Sequence, residues 1–231
     1  QAELLRRILA WQQVVYAEEA LPVWLRESLV NVLHLIAEDG LWAHRQPPLP
    51  EWVRDEDGLF GMNECPRGCP QTECLPNTAY GNHPLVYFYP ALARSTLRGY
   101  QGFQFPDGAP TWSFGGCTTG TPPTDFASPA RGYQFATNGI SLAMMVDRYL
   151  LCHDDPGFVD EFYPMLRRCL EWTMGLRTTP TYSAGERVIA MPSPDREDPA
   201  REWFEADYPG WYGLAAHTGG LHLAQLAITE R

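Results

Sequence analysis

Apolar side chains recur at helical spacing over two segments at the start of the chain. In the first segment they are Leu4, Leu5, Ile8, Leu9 and Val15. This spacing places them on one face of an amphipathic helix. A second helix is predicted over residues 21–40 (LPVWLRESLVNVLHLIAEDG), because Pro22 stands in its first turn and Gly40 at its end. We expect the two helices to pack antiparallel.

Four more helices are predicted further along the chain. Their ranges are 84–98, 138–152, 158–175 and a segment that begins near Trp211. The helix over 158–175 follows HDDPG, which is typical of a helix start. RVIAMP and GYQGFQF are compatible with short strands, but no strongly alternating segment competes with the helices. The pattern therefore predicts an all-α fold.

Long connections separate these helices, at about residues 41–83, 100–131 and 177–208. Helices of an ordinary bundle are joined by about 2–8 residues, whereas much longer loops in a compact domain are usually functional. Paired helices with long aromatic connections on one side are typical of an α/α toroid, in which helical hairpins ring an axis and the loops line a pocket. An ordinary helical bundle is the alternative.

Charge and composition limit the kinds of molecule that the protein is expected to bind. The 231-residue chain has a formal net charge of -11 at pH 7 and no block of lysine and arginine, which excludes the electrostatic footprint of a protein that binds nucleic acid or anionic membranes. No apolar run approaches the roughly 20 residues of a membrane helix, so we expect no transmembrane segment. Both ends have the pattern of a chain cut from a longer protein. We expect a small neutral partner and a cytoplasmic location.

Three cysteines lie in one turn-rich stretch, GMNECPRGCPQTECLP. They are Cys65, Cys69 and Cys74, and Cys117 or His83 would complete four metal ligands. Structural zinc sites favour tighter pairs followed by a second pair, which this spacing lacks. A disulfide among these cysteines and buried free thiols both stay open. We predict no metal ion and no cofactor.

Four carboxylates stand beside proline, glycine, tyrosine or tryptophan on the predicted loops. They are Glu64, Glu73, Glu205 and Asp207. An isolated loop carboxylate is usually a solvated charge or a helix cap. Two carboxylates that face each other across an aromatic pocket can instead cleave a glycosidic bond, because one attacks the anomeric carbon while the other, its pKa raised by desolvation, protonates the leaving oxygen. Tryptophan and tyrosine rings also suit the apolar faces of a sugar.

Two patches of sequence carry a family resemblance. The first is DGLFGMNECP with the following run YGNHPLVYFYPALARSTLRGYQ, and the second is EADYPGWYGLAAHTGGLHLAQLA. They resemble the nucleophile and acid/base segments of glycoside hydrolase family 116, the group that includes non-lysosomal glucosylceramidase and bacterial β-glucosidases. The match implies that Glu64 is the nucleophile and that Asp207, twelve residues ahead of Gly219, is the acid/base.

The resemblance also implies a fold and a mechanism. The family has an (α/α)6 catalytic domain behind a β-sandwich domain, and it retains the anomeric configuration through a glycosyl-enzyme intermediate. Residues 1–231 would then form a single domain, the N-terminal part of an incomplete toroid of the six-hairpin glycosidase type. The upstream β-sandwich and the C-terminal half of the toroid would lie outside this chain.

Departures from the family pattern concern the groups that contact the sugar. Pro76 stands where the family has an aspartate, and Trp112 stands where it has a histidine. Glu205 replaces a threonine beside the acid, and the aspartate-rich turn that resembles a calcium site is absent, so we expect no calcium. Trp112 and Trp211 are predicted to form a stacking platform in the substrate site, with Glu205 beside them.

Two questions stay open at this point. Glu73 is predicted in the substrate site as a neighbour of Glu64, a salt-bridge partner or a rival nucleophile. The leading hypothesis for function is a retaining β-glycoside hydrolase that acts on a small-molecule glycoside or glycolipid. The alternative is a catalytically inactive toroid homologue that serves as a carbohydrate-binding or scaffold domain, and another toroid enzyme, such as a lyase or an inverting glucosidase, is a third possibility.

Overall fold

The computed structural model describes most of the chain in two compact units. The described residues are 2–65, 69–75, 78, 81, 83–116, 129, 135–177, 179–180, 185–189 and 216–231. The units are Gln1–Gly40 and Leu41–Arg231. Helix predominates and sheet is a minor part, so the expectation of a mainly helical protein is confirmed. Within the described ranges, no helix is both long and apolar enough to cross a membrane.

The first unit is helical. Its helices are α1 (Ala2–Tyr16), α2 (Val23–Asn31) and α3 (His34–Asp39). The helix predicted over 21–40 is therefore interrupted, because the N–H groups of Leu35 and Ile36 bond carbonyls three residues back instead of four. Pro22 precedes α2 and Gly40 follows α3, as the sequence pattern predicts.

The second unit contains a four-stranded sheet that the sequence pattern did not predict. Its strands are, in spatial order, β1 (Gly40–Ala43), β2 (Leu59–Cys65), β3 (Cys69–Thr72) and β4 (Gly115–Gly116). β3 is antiparallel to both β2 and β4. Pro70 is the reason that β3 could not be predicted from the sequence, because proline is normally confined to edge strands and bulges. A second, short pair joins β5 (Thr179–Pro180) to β6 (Arg187–Val188), which confirms a strand within RVIAMP.

The helices of the second unit follow the predicted pattern with two differences. They are α4 (His83–Phe88), α5 (Pro90–Gly102), α6 (Phe135–Cys152), α7 (Pro156–Gly175) and α8 (Ala216–Glu230). The helices over 138–152 and 158–175 are confirmed. The helix over 84–98 is divided at Tyr89, because Pro90 opens α5 and the residue before a proline avoids helical conformation. The prediction of a strand over GYQGFQF is wrong, because the first residues of this segment form the end of α5. Trp211, where the last helix was predicted to begin, lies outside the described residues.

Polar contacts show that α5 and α7 run in the same direction. In the first half of α5, Arg94 bonds Asp155 and Glu161. Just after α5, Gln104 donates to the carbonyl oxygen of Met165 at 3.1 Å. Residue numbers rise together along the two helices, so α5 and α7 are parallel.

The helices α6 and α8 are likewise parallel to each other. Gly139, near the start of α6, lies against the Gln225 side chain. Further along α6, Asp147 pairs with Arg231, which follows α8. Among the described helices α5 to α8, alternate members are therefore parallel.

The end of α6 lies beside the start of α5. His153 follows α6, and one of its ring nitrogens is 2.6 Å from the carbonyl oxygen of Val86 in α4. The core between these helices is aromatic: Tyr149 stacks on Phe158 with ring centroids 4.0 Å apart, and Phe162 lies next to Phe158. Tyr149, near the end of α6, also interacts with Arg94 in the first half of α5. Only residues 153–155 separate α6 from α7, and the Tyr149–Phe158 stack joins these two helices, so they are antiparallel. Because α5 is parallel to α7, α5 and α6 are antiparallel.

An ionic network joins α5 to α7. Glu161 accepts from Arg98 Nε at 2.6 Å and from Arg94 Nε at 3.0 Å, and Arg98 also pairs with Asp57. The side chain of Glu161 is only 14% exposed. Burial alone would raise the pKa of Glu161, but the hydrogen bonds and charges of Arg98 and Arg94 outweigh it and hold that pKa below its ordinary value.

Glu161→Gln is expected to lower the free energy of unfolding at pH 7 by about 2–3 kcal/mol, because both arginines lose a shared charged acceptor. The matched control is Glu171→Gln on the same helix, whose side chain is 63% exposed. Its surface pair with Arg167 contributes at most about 0.5 kcal/mol. Urea denaturation measures both variants against the wild type.

The wild type and Glu161→Gln also test how the contribution of Glu161 to stability depends on pH. Because the pKa of Glu161 is lowered in the folded protein, its contribution is complete above the ordinary value of about 4.3 and is lost as the pH falls through the lowered pKa. The difference between the wild type and Glu161→Gln should therefore shrink below about pH 4. If the difference in the free energy of unfolding stays constant from neutral pH to below about pH 4, the ion pairs of Glu161 are not its source.

Candidate active site

The strand pair β2–β3 carries Glu64, the predicted nucleophile. Asn63 is the register partner of Thr72, and Cys65 is the partner of Cys69. The single residue Glu64 therefore faces two residues of β3, which makes a β-bulge. Bulges change the direction of side chains and are frequent next to active sites. Glu64 is half-buried, so part of its surface remains accessible.

β2 is anchored to α5 through its own backbone. The Phe60 N–H donates to the Ser95 hydroxyl oxygen at 3.0 Å, and the Phe60 carbonyl oxygen accepts from the Thr96 hydroxyl at 3.3 Å. Both of these hydroxyl side chains are buried. Small polar side chains in α5 thus satisfy backbone groups of β2 and hold the strand against the helix.

Glu73, which follows β3, is fully buried (0% exposed) and has a left-handed backbone with φ of 59°. Its N–H donates to the Met62 carbonyl oxygen at 2.8 Å. The Met62 N–H donates in return to the Glu73 side-chain oxygen Oε1, at 2.6 Å. The Glu73 carbonyl oxygen instead accepts from the Tyr100 hydroxyl at 2.9 Å. The left-handed turn therefore directs the carbonyl to Tyr100, and the carboxylate takes the place of a carbonyl beside Met62.

The second carboxylate oxygen of Glu73 has hydroxyl partners. Oε2 accepts from the Thr78 hydroxyl at 2.8 Å and lies 3.2 Å from the Tyr100 hydroxyl. Burial, and then the charge of Glu73, raise the pKa of Tyr100 well above its ordinary value, so the phenol stays protonated and remains a donor. The left-handed backbone costs about 1–2 kcal/mol, and each hydrogen bond to a charged group contributes about 1.5–3 kcal/mol. The hydrogen bonds therefore outweigh the strain.

Trp112, predicted as part of a stacking platform, lies beside the same strands. Its carbonyl oxygen accepts from the Leu75 N–H at 2.7 Å, and the Phe114 N–H donates to the Thr72 carbonyl oxygen at 2.8 Å. Gly99 of α5 permits this packing, because a Cβ at that position would lie 2.4 Å from the Phe114 ring. Only 3% of Trp112 is exposed. Trp112 is thus buried, and its role in stacking on a sugar stays a prediction.

The other predicted site residues lie outside the described residues. These are Glu205, Asp207 and Trp211. The separation of the Glu64 and Asp207 carboxyl groups, on which a retaining mechanism depends, therefore stays a prediction. What the structure brings together around one small sheet is Glu64, Glu73 and Trp112.

Two residues of this cluster, Thr78 and Tyr100, are absent from the site that the sequence predicts. The hydroxyls of both contact the Glu73 carboxylate. Tyr100 is 27 positions from Glu73 and lies on a helix, so no local spacing links the two residues. The only signal in the sequence is the polar composition of α5, which places hydroxyls where an amphipathic helix normally has apolar side chains.

The cysteine-rich stretch is part of the same hairpin. Cys74 is buried and is not part of a disulfide, and the backbones of Cys65 and Cys69 are register partners. Among the described side chains, no group of three or more histidine, cysteine, aspartate or glutamate residues is arranged to hold a metal ion. Cys117 lies outside the described residues. The stretch therefore serves here as the strands that position Glu64 and Glu73.

Comparison with known proteins gives no family assignment. No family model matches the chain, and no curated protein is significantly similar to it. Function is therefore inferred from the residues of the site and from the resemblance of the two sequence patches.

Substitutions at Glu73 distinguish the contribution of its carboxylate to stability from the cost of its left-handed backbone. Glu73→Gln is expected to lower the free energy of unfolding by about 1–3 kcal/mol, because an amide nitrogen cannot accept from the donors around it. Glu73→Ala should destabilise further, since it leaves those donors unpaired and keeps the strained φ. Glu73→Gly should be more stable than Glu73→Ala by about 1 kcal/mol, because glycine adopts left-handed backbone without strain.

The control for this series is Glu51→Gln, at an exposed position of the same unit, which should leave the unfolding midpoint unchanged. Guanidinium denaturation gives all four free energies. Equal stability of the alanine and glycine variants would rule out the strain, and a glutamine variant as stable as the wild type would rule out the anchoring role of the carboxylate.

Proposed function

We propose that the protein is a retaining β-glycoside hydrolase in which Glu64 is the nucleophile and Asp207 is the acid/base. The observation that carries this proposal is the position of Glu64, half-buried at a β-bulge, beside a fully buried Glu73. The two carboxylates have different environments, as expected where one performs chemistry and the other supports it.

Glu64 is a better nucleophile than Glu73. Both side-chain oxygens of Glu73 accept hydrogen bonds, Oε1 from the Met62 N–H and Oε2 from the Thr78 hydroxyl, in a fully buried position. Attack by Glu73 on an anomeric carbon would break the hydrogen bonds that its oxygens accept, and so leave the Met62 N–H and the Thr78 hydroxyl without an acceptor. Glu73 instead holds Met62, two positions from Glu64, and so positions the strand that carries the nucleophile.

The proposed reaction has two steps. First the Glu64 carboxylate bonds to the anomeric carbon while the bond to the leaving oxygen breaks, and the Asp207 carboxyl gives its proton to that oxygen. Then the Asp207 carboxylate takes a proton from water, whose oxygen bonds to the anomeric carbon and releases Glu64. Two inversions restore the starting configuration. The two carboxylates supply every proton and covalent step, so the reaction needs no cofactor.

An incomplete (α/α)6 toroid is the architecture we propose for this site. The alternating directions of α5 to α8 support it, because stacked helical hairpins have this arrangement. The sheet that carries Glu64 contacts α5 near Ser95 and Tyr100, where a toroid has its pocket-forming loops. On this proposal the chain is the N-terminal part of a catalytic domain.

The substrate we propose is a neutral glycoside or glycolipid. An acidic chain with a net charge of -11 disfavours anionic polymers as substrates. Pro76 and Trp112 stand where the resembled family has an aspartate and a histidine, so different groups must contact the sugar hydroxyls. A changed preference for the sugar is therefore part of the proposal.

Glu64→Ala is expected to lower kcat/KM on an aryl β-glycoside by about 10³-fold or more, because the covalent step is lost. Added azide should restore turnover and yield the α-glycosyl azide, since it occupies the face that the Glu64 side chain vacates. Asp207→Ala with azide should yield the β-glycosyl azide, because there Glu64 still forms the intermediate. Product anomers are read by NMR.

The matched control is Glu56→Gln, at an exposed position before β2, which should keep the wild-type rate. A Glu64→Ala protein with near wild-type turnover would eliminate Glu64 as the nucleophile. A wild type that binds glycosides and never releases the aglycone would favour the inactive carbohydrate-binding alternative.

A further inference from the structure

A chain of buried polar groups crosses from α8 to α7. The Thr173 hydroxyl donates to the Cys169 carbonyl oxygen at 2.9 Å. The Gln225 amide nitrogen is 3.2 Å from the Thr173 hydroxyl oxygen, and the Gln225 amide oxygen is 3.4 Å from His222 Nδ1. All four residues are at least nine-tenths buried, with His222 the most exposed at 6%. Water therefore does not compete for these hydrogen bonds.

The direction of each hydrogen bond in this chain is determined. A backbone carbonyl can only accept, so the Thr173 hydroxyl donates its proton to the Cys169 carbonyl oxygen. Its oxygen lone pairs are then available to Gln225. The Gln225 nitrogen donates to those lone pairs, which leaves its amide oxygen facing His222. An amide oxygen can only accept, so the proton of the imidazole is on Nδ1. A neutral imidazole has one N–H, and Nε2 of His222 is therefore a lone-pair acceptor.

The charge state of His222 agrees with this assignment. Burial lowers the pKa of His222 below its ordinary value, and the charge of Arg177 acts in the same direction, whereas the hydrogen bond that His222 donates to Gln225 raises it. The ring is therefore neutral at pH 7. Nε2 is buried and has no hydrogen-bond partner among the described residues. Buried polar atoms are normally hydrogen-bonded, so we expect a donor to bind at Nε2.

The position of His222 relates it to the proposed active site. Because α6 is antiparallel to α5 and parallel to α8, the N-terminal halves of α6 and α8 lie at the end of α5 that carries Tyr100, the partner of Glu73. Buried polar side chains gather in these two half-helices: Thr137, Asn138, Ser141, Thr218 and His222. These half-helices therefore carry several of the polar side chains by which a binding site orients a hydroxyl-rich ligand.

We propose that His222 is a substrate-binding residue whose Nε2 accepts a hydrogen bond from a hydroxyl of the bound sugar, with Gln225 and Thr173 as the positioning residues that fix its tautomer. The inference rests on the proposed function, because a glycoside supplies the hydroxyl. A metal ion is the weaker occupant, since no described cluster of ligands accompanies His222.

The test uses the full protein labelled with ¹⁵N in its histidines. Long-range ¹H–¹⁵N spectra at pH 7 should show His222 as the neutral Nδ1–H tautomer, and its signals among the six histidines are identified by their loss in His222→Asn. Adding methyl β-D-glucoside or methyl β-D-galactoside to saturation should move the Nε2 signal in the direction of an accepted hydrogen bond. The Thr173→Val variant should lose the single tautomer, because Gln225 is then free to rotate.

Binding of the same sugars supplies the second measurement. Asparagine at position 222 keeps a donor to Gln225 and removes Nε2, so His222→Asn should weaken sugar binding by about tenfold while its thermal midpoint stays close to that of the wild type. Glutamine reaches the Nε2 position but loses the donor to Gln225. His222→Gln should therefore bind sugar better than His222→Asn and be less stable.

The outcomes separate the role of His222 from the proposed function. Turnover with an unmoved Nε2 signal, or with a proton on Nε2, overturns the role of His222 alone. Sugar binding that moves Nε2 without any turnover supports the role of His222 and overturns the hydrolase. A wild type that binds neither sugar, and hydrolyses no glycoside, overturns both.

Discussion

The buried carboxylate of Glu73 is the interaction on which the rest of the site depends. A charged group without solvent is tolerated only where donors replace its water. Here the Met62 N–H and the Thr78 hydroxyl do so, while the Tyr100 hydroxyl donates to the Glu73 main-chain carbonyl. These three partners belong to β2, to the chain after β3 and to α5. One residue therefore sets the distance between a strand pair and a helix, and the ionic network of Glu161 extends that constraint to α7.

The same constraint explains why two neighbouring glutamates have different roles. Glu73 exchanges its solvent for fixed donors and becomes part of the scaffold. Glu64 lies on the strand that Glu73 holds, opposite the bulge of β3, and is only half-buried. His222 repeats this principle in another part of the unit. Its proton is placed by Gln225 and Thr173, so the group it presents is defined before any ligand arrives. Both features are forms of preorganisation, in which the scaffold determines orientation in advance.

Periodicity and proline positions were enough to predict α6 and α7, because apolar spacing sustained over that length is typical of an amphipathic helix. The sheet could not be predicted, since β1, β3 and β4 are short and β3 carries Pro70 and the bulge, so this part of the chain has the composition of a loop. The role of Glu73 was equally hidden. It depends on a left-handed backbone and on Tyr100, a distant residue on a helix, and neither is expressed in local spacing. For His222 the sequence offered only HTGGLH, whose two histidines fall on different helix faces, whereas the polar partners of His222 come partly from α7.

The central claim is that Glu64, and not Glu73, forms the covalent bond to the sugar. A 2-deoxy-2-fluoro glycoside with a good leaving group slows both steps and lets the intermediate accumulate, so the attached sugar can be located by mass spectrometry of the digested protein. The account predicts one sugar per chain, carried by Glu64. A sugar on Glu73 or on any other residue, or steady hydrolysis of β-glycosides in which no labelled peptide ever forms, would contradict it.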